Sequence, residues 1–289
     1  MSETISNKHR EHWDIVLQPK TSLFKLNLKE VWRYRDLMWM FVRRDFVAQY
    51  KQTILGPLWH IIQPLLTTLI FLFLFGRVAK ISTDGIEPVL FYMAGITVWN
   101  YFAACLTNTS TTFVTNAAIF GKVYFPRLVM PLSIVISNII RLGIQFGLLL
   151  VFMVIYYFKG VPINLSVYWL CIPVLISIMA GIGFGLGIII SSLTTKYRDL
   201  ALLLTFVVQL GMYATPIAYP LSFLAGTKYK WVLNINPLTS IVEAFRYCLF
   251  GKGTVTMDGL LYSVIFMIVV VLLGTLIFNK VEKDFMDTV

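Results

Sequence analysis

The sequence predicts an all-α integral membrane protein with six transmembrane helices, an amphipathic interfacial helix before them and short re-entrant helices at the outer mouth. Three observations carry that class. Hydrophobic residues make up 58% of the 289 and charged residues only 13%, whereas a soluble domain carries about 25% charge. The apolar residues gather in runs of roughly 20, the length that crosses a bilayer as a helix. Nor do they alternate over short segments, as the strands of a membrane barrel must.

Residues 1–56 read as a cytoplasmic N-terminal segment, too polar for a cleavable signal peptide. Within it, Leu28–Lys51 is helix-like but charged. At about 100° per residue, Lys29, Arg33, Asp36, Arg43, Arg44 and Lys51 share one face. Leu28, Val31, Trp32, Met38, Trp39, Val42 and Phe46 share the other. A basic amphipathic helix with two tryptophans belongs at a membrane surface; a helix packed on a soluble partner is the alternative. Gly56-Pro57 then turns the chain into the membrane domain, 57–279.

Six spans are expected there, at about Pro57–Phe75, Val89–Thr109, Met130–Phe158, Tyr168–Ser192, Leu200–Tyr219 and Gly259–Asn279. Residues 280–289 form a cytoplasmic tail. Gly181, Gly183, Gly185 and Gly187 in the fourth span, and Gly143 and Gly147 in the third, have the spacing that lets helix backbones approach closely in lipid. Between the fifth and sixth spans, Pro216 and Pro220 break the helix near its outer end. The run after Asn236-Pro237, interrupted by Glu243 and Arg246, is too short to span and reads as re-entrant or interfacial.

The net charge of +10 could suggest nucleic acid, but its distribution does not. Sixteen Lys and Arg fall on the side that holds both termini and seven on the other, with Arg141 inside a span. That excess marks the cytoplasmic face, and anionic lipid headgroups are its natural partners. Both termini are therefore expected inside. Arg141 either meets an anionic substrate or a partner subunit, or lies near the inner headgroups.

Enzymatic chemistry is not expected. The chain has no G-x-x-x-x-G-K-[ST] loop and no H-E-x-x-H, and its three histidines lack ligand-like partners at helical spacing. Cys105, Cys171 and Cys248 are too scattered for a metal site or a disulfide framework. No acid lies in the membrane interior, where ion-coupled carriers generally need one. A pump so built must borrow its nucleotide site.

Four stretches carry a resemblance. They are RRDFVAQYKQTILGPLWHIIQPL (Arg43–Leu65), GKVYFPRLVMPL (Gly121–Leu132), YRDLALLLTFVVQLGMYATPIAYP (Tyr197–Pro220) and NPLTSIVEAFRYCLFG (Asn236–Gly251). In order, spacing and topology the chain resembles the type-2 ABC-transporter permeases of the polysaccharide, O-antigen, capsule and teichoic-acid exporter group. The resemblance implies a homodimeric permease of the bacterial inner membrane that exports a lipid-linked glycan. Two cytosolic ATPase subunits, holding ATP and Mg, would power it. An exporter of drugs or simple lipids is the alternative, as is a non-transporting scaffold for glycan synthesis.

The resemblance also implies roles for residues. ATPase coupling falls to Gly121, Lys122, Tyr124, Phe125, Pro126 and Arg127, with Tyr197, Arg198 and Asp199. Tyr124 and Phe125 are expected to enter a groove of the ATPase, because Phe120, Val123, Tyr124 and Phe125 would otherwise be awkwardly exposed; folding back onto the membrane interface is the other possibility. Pro216, Pro220, Asn236, Pro237, Glu243 and Arg246 belong to the outer gate. Trp59, Tyr92, Trp99, Tyr101, Arg141 and Tyr213 are candidates for the substrate path.

Overall fold

The computed structural model describes residues 28–51, 53–120, 122–123, 125–162, 166–197, 199–224 and 230–286. All the regular structure among them is helical. The stretch expected to form one amphipathic helix is helical in two pieces, α1 (Leu28–Arg33) and α2 (Arg35–Tyr50), separated by a single turn residue, Tyr34, and its expected apolar face is divided. Val31, Phe41 and Val42 turn inward, while Trp32, Trp39 and Met40 remain exposed along its length. Such a row of aromatic and apolar side chains suits the headgroup boundary.

Among the described residues, five helices are long and apolar enough to cross a membrane: Gly56–Val78, Pro88–Ser110, Val129–Phe158, Val167–Thr194 and Met257–Val281. The first contains α3 (Trp59–Phe71) and continues into a π-helical stretch, Leu72–Val78. The second is α4 (Pro88–Ser110). Two one-turn helices, α5 (Thr112–Thr115) and α6 (Ala117–Phe120), then lead to α7 (Val129–Phe158). The fourth crossing is α8 (Ile172–Thr194) with a tight lead-in turn, Val167–Cys171.

The expected fifth span differs from the sequence reading. Its helix, α9 (Leu200–Ala214), has only 15 residues and rises about 21 Å, short of the roughly 30 Å hydrocarbon layer. The helix stops ahead of Pro216 because the residue before a proline is driven out of the helical region. Thr215 accordingly turns extended, with ψ of 144°. Thr215, Pro216, Ile217 and Ala218 then run as buried, non-helical chain. Short helices α10 (Leu221–Leu224) and α11 (Lys230–Ile235) follow, then α12 (Pro237–Phe250) and α13 (Met257–Met286). Asn236 caps α12 by accepting from Leu238 N. Gly251 ends it at φ +66°, a conformation that glycine reaches without strain.

The core centres on α4, most of which is buried against α3, α7, α8, α9 and α12. Close helix approach depends on glycine in α8. A Cβ on Gly183 would lie 2.9 Å from the Cys105 Cβ, and one on Gly185 would lie 2.8 Å from the Val271 backbone nitrogen. Gly183 thus holds α8 on α4, and Gly185 holds it on α13. Gly143 and Gly147 depart from the expectation: a Cβ at either would meet nothing within 4 Å. Their face of α7 is open in the single chain.

Candidate functional site

Three polar or aromatic assemblies interrupt this apolar bundle. The first is a bracket around the break after α9. Arg246 is fully buried, and its Nη1 donates to Glu243 Oε1 at 3.0 Å and to the Pro216 carbonyl at 2.6 Å. Its Nη2 donates to the Ile217 carbonyl at 2.8 Å. The guanidinium stacks 3.6 Å from the Phe91 ring centroid, within the range of a desolvated cation–π contact. Asn236 Nδ2 adds donations to the Ala214 carbonyl and Thr215 Oγ1. Irregular backbone at membrane depth must be satisfied from within the protein, and α12 supplies those donors. Burial pushes the Glu243 carboxyl above its usual range, while Arg246 and the Thr254 backbone pull it back. Of the expected gate residues, Pro216, Asn236, Glu243 and Arg246 are thus brought together. Pro220 is buried nearby in sequence, and Pro237 opens α12.

The second assembly is an aromatic ladder at the opposite end. Phe41 of α2 packs on Phe125 with centroids 5.6 Å apart, and Phe125 on Phe120 at 5.7 Å. Phe120 meets Phe113, which stacks on Phe278 of α13 at 4.5 Å. The expected exposure of Phe120 and Phe125 is therefore corrected. Both are about 95% buried, because α2 and α13 supply the apolar cover that sequence reasoning assigned to another protein. Pro126 and Arg127 are buried as well, and the Arg127 guanidinium lies 5.5 Å from the Phe120 ring centroid. Lys122, Val123, Tyr197 and Asp199 are exposed. Gly121, Tyr124 and Arg198 lie outside the described residues.

The third assembly is a pocket of about 180 Å³ between α3, α4 and α7. Its lining is His60, Gln63, Asn100, Tyr101, Ala104, Asn138, Arg141, Leu142 and Gln145. Arg141 donates to Gln49 Oε1, and Gln49 Nε2 lies 3.5 Å from His60 Nε2. The end of α2 thereby closes one side. Asn100 Nδ2 donates to Gln145 Oε1 at 3.3 Å, and Asn108 Nδ2 to Asn138 Oδ1 at 3.4 Å.

Two expected path residues, Tyr101 and Arg141, line this pocket. Tyr92 and Trp99 are instead buried in the core. Tyr92 packs on Phe71 and Phe91, and Trp99 on Phe102. Trp59 and Tyr213 are about half exposed on α3 and α9. Sequence reasoning missed His60, Gln63, Asn100, Asn138 and Gln145. A signal for them existed: Asn138, Arg141 and Gln145 follow i, i+3, i+7 spacing along one face of α7, as His60 and Gln63 do at i, i+3 on α3.

The profile of a family described as ABC-2 type transporter matches residues 36–250. An O-antigen export system permease protein, RfbA, of Klebsiella pneumoniae is 32% identical over 254 residues, which cover 87% of this chain and 94% of that protein. The protein of the same name in Myxococcus xanthus is 23% identical over 265 residues, 91% of this chain and 98% of the relative. The capsule polysaccharide export inner-membrane protein CtrC of Neisseria meningitidis is 22% identical over 248 residues, 83% and 89% of the two chains.

Proposed function

Since this chain belongs to the ABC-2 type transporter family, we propose that it is the permease subunit of an ATP-driven exporter of lipid-linked polysaccharide. The observation that carries the reading is similarity to O-antigen and capsule export permeases along nearly their whole length. The bundle is compatible with such cargo. The polar pocket has no acidic lining residue, whereas ion-coupled carriers hold acids near the midplane.

The working unit in this reading is a homodimer in the bacterial inner membrane, with both termini in the cytoplasm and two ATPase subunits beneath it. Two exposed faces favour a second copy. The α3 face presents Leu66, Leu69, Ile70 and Phe73, and the α9 face presents Leu202, Leu203, Phe206 and Leu210. Lipid alone could cover the first, but α9 is too short to match the bilayer unaided. ATP and Mg belong to the partner ATPase. Coupling to it falls to the exposed Lys122, Val123, Tyr197 and Asp199, held in place by the aromatic ladder behind them.

Deleting the protein tests the reading directly. Completed glycan, or its lipid-linked form, should accumulate inside the cell and return to the surface on re-expression. Undiminished surface glycan alongside lost small-molecule resistance would instead favour a drug or lipid exporter.

A further inference from the structure

The pocket between α3, α4 and α7 sets neutral polar side chains around the Arg141 cation. Arg141 is the thirteenth of the thirty residues of α7, about 18 Å along the helix from its start. A charge within a span is retained where it meets a partner or a cavity. Its hydrogen bond to Gln49 Oε1 is to a neutral amide. No carboxylate lines the pocket. Asp45, on the neighbouring α2, is already paired with Arg44 at 2.7 Å.

Asn138 is 1% exposed and Tyr101 4%. Asn138 Nδ2 and Tyr101 Oη have no hydrogen-bond partner beyond the weakly polar Cys105 thiol. Both donors are turned to Cys105 and closed off from the pocket, so what the cavity offers an oxyanion is the Arg141 guanidinium, with the Gln63 and Gln145 amides also in its lining. The volume is below the roughly 300 Å³ of a typical organic-ligand site, so a sugar polymer does not fit but a phosphoryl group does. Gln63 is exposed, leaving the pocket open beside the first span.

We infer that this pocket binds the phosphoryl headgroup of a membrane lipid, with Arg141 as the charged anchor and the Gln63 and Gln145 amides as neutral donors. Bulk anionic phospholipid and the diphosphate of a polyprenyl glycan carrier offer the same chemistry. Only the second source rests on the export reading above.

The test is native mass spectrometry of the purified full-length protein, with four probes added in turn: phosphatidylglycerol, a polyprenyl diphosphate, diacylglycerol and inorganic diphosphate. At least one phosphorylated lipid should bind about tenfold or more tighter than diacylglycerol, the margin of one charge-assisted hydrogen bond. Arg141→Gln should remove that margin, and Arg141→Lys should keep part of it. Asn138→Asp, which keeps the side chain's shape but places a carboxylate beside Arg141, should weaken binding similarly while the melting temperature of the protein shows that it is folded. Preference for the polyprenyl probe assigns the pocket to the carrier; equal binding of phosphatidylglycerol assigns it to bulk lipid. Equal affinity for diacylglycerol, inorganic diphosphate binding as tightly as the lipids, or unchanged binding by both folded variants would overturn the inference. None of these readouts depends on transport, so a failure of the export reading in the deletion strain leaves the binding result standing, and the reverse holds too.

Discussion

Arg246 shows how much one side chain can hold. It satisfies two carbonyls freed by the break after α9 and neutralises Glu243, all without access to water. Arg246→Ala leaves a carboxylate buried and two carbonyls unpaired, an expected loss of about 3–5 kcal/mol. A lower melting temperature in detergent would register it. Replacing Glu243 and Arg246 together with Leu and Met should recover part of the loss, because removing both charges is far cheaper than removing one. If the single variant melts like the native protein, the bracket does not hold the break. The sequence makes the pair itself legible, since Glu243 and Arg246 stand one helical turn apart. What it cannot reveal is the reach to Pro216 and Ile217, some thirty positions back, which only the fold brings near. The pocket was half legible for a similar reason. Arg141 stands out in the sequence as a charge within an apolar run, whereas Asn138 and Gln145 gain meaning only from the face of α7 they share with it.

The elements divide by how strong their local signal is. Long, charge-poor apolar runs located five candidate crossings to within a few residues, because nothing but lipid or a core can accept them. The extent of α9 was misread, since apolar composition continues through Thr215–Ala218 after the helix has ended. The prolines gave the clue, but their effect begins one residue earlier than their position. The stretch joining α6 to α7 was also misread at its aromatics, because hydrophobicity alone does not reveal which element will cover a ring. Different substitutions should separate anchor from contact there. Phe125→Ala removes a buried ring and should destabilise the chain by about 3–5 kcal/mol, seen as a lowered melting temperature. Val123→Asp with Lys122→Glu should leave melting unchanged but weaken co-purification of the ATPase. Were Phe125→Ala to melt normally and still lose the ATPase, the ring would be the contact.

At the scale of the molecule, the two ends of the bundle differ in chemistry. One carries the aromatic ladder; the other carries the bracket, α10, α11 and α12, where Ser222 donates to both Asp84 carboxylate oxygens and Lys252 to the Gly85 carbonyl. The orientation proposed for them rests on the uneven distribution of Lys and Arg and can be checked chemically. In a Cys171→Ser background, Lys159→Cys should react with an impermeant thiol reagent added to intact cells, and Lys196→Cys should react only after permeabilisation. The opposite pattern would invert the protein in the membrane. Partnership was the least legible level, because a sequence pattern marks an apolar face without saying whether lipid or protein meets it.

The shortness of α9 has a further consequence, for the bilayer itself. A protomer standing alone presents a face about 21 Å tall to a hydrocarbon layer of roughly 30 Å, and the acyl chains beside it must tilt or compress to match. Each ångström of mismatch costs a fraction of a kcal/mol, so the membrane next to a lone α9 would be locally thinned. A second copy seated on that face would relieve the strain, which makes membrane thickness a term in the assembly equilibrium.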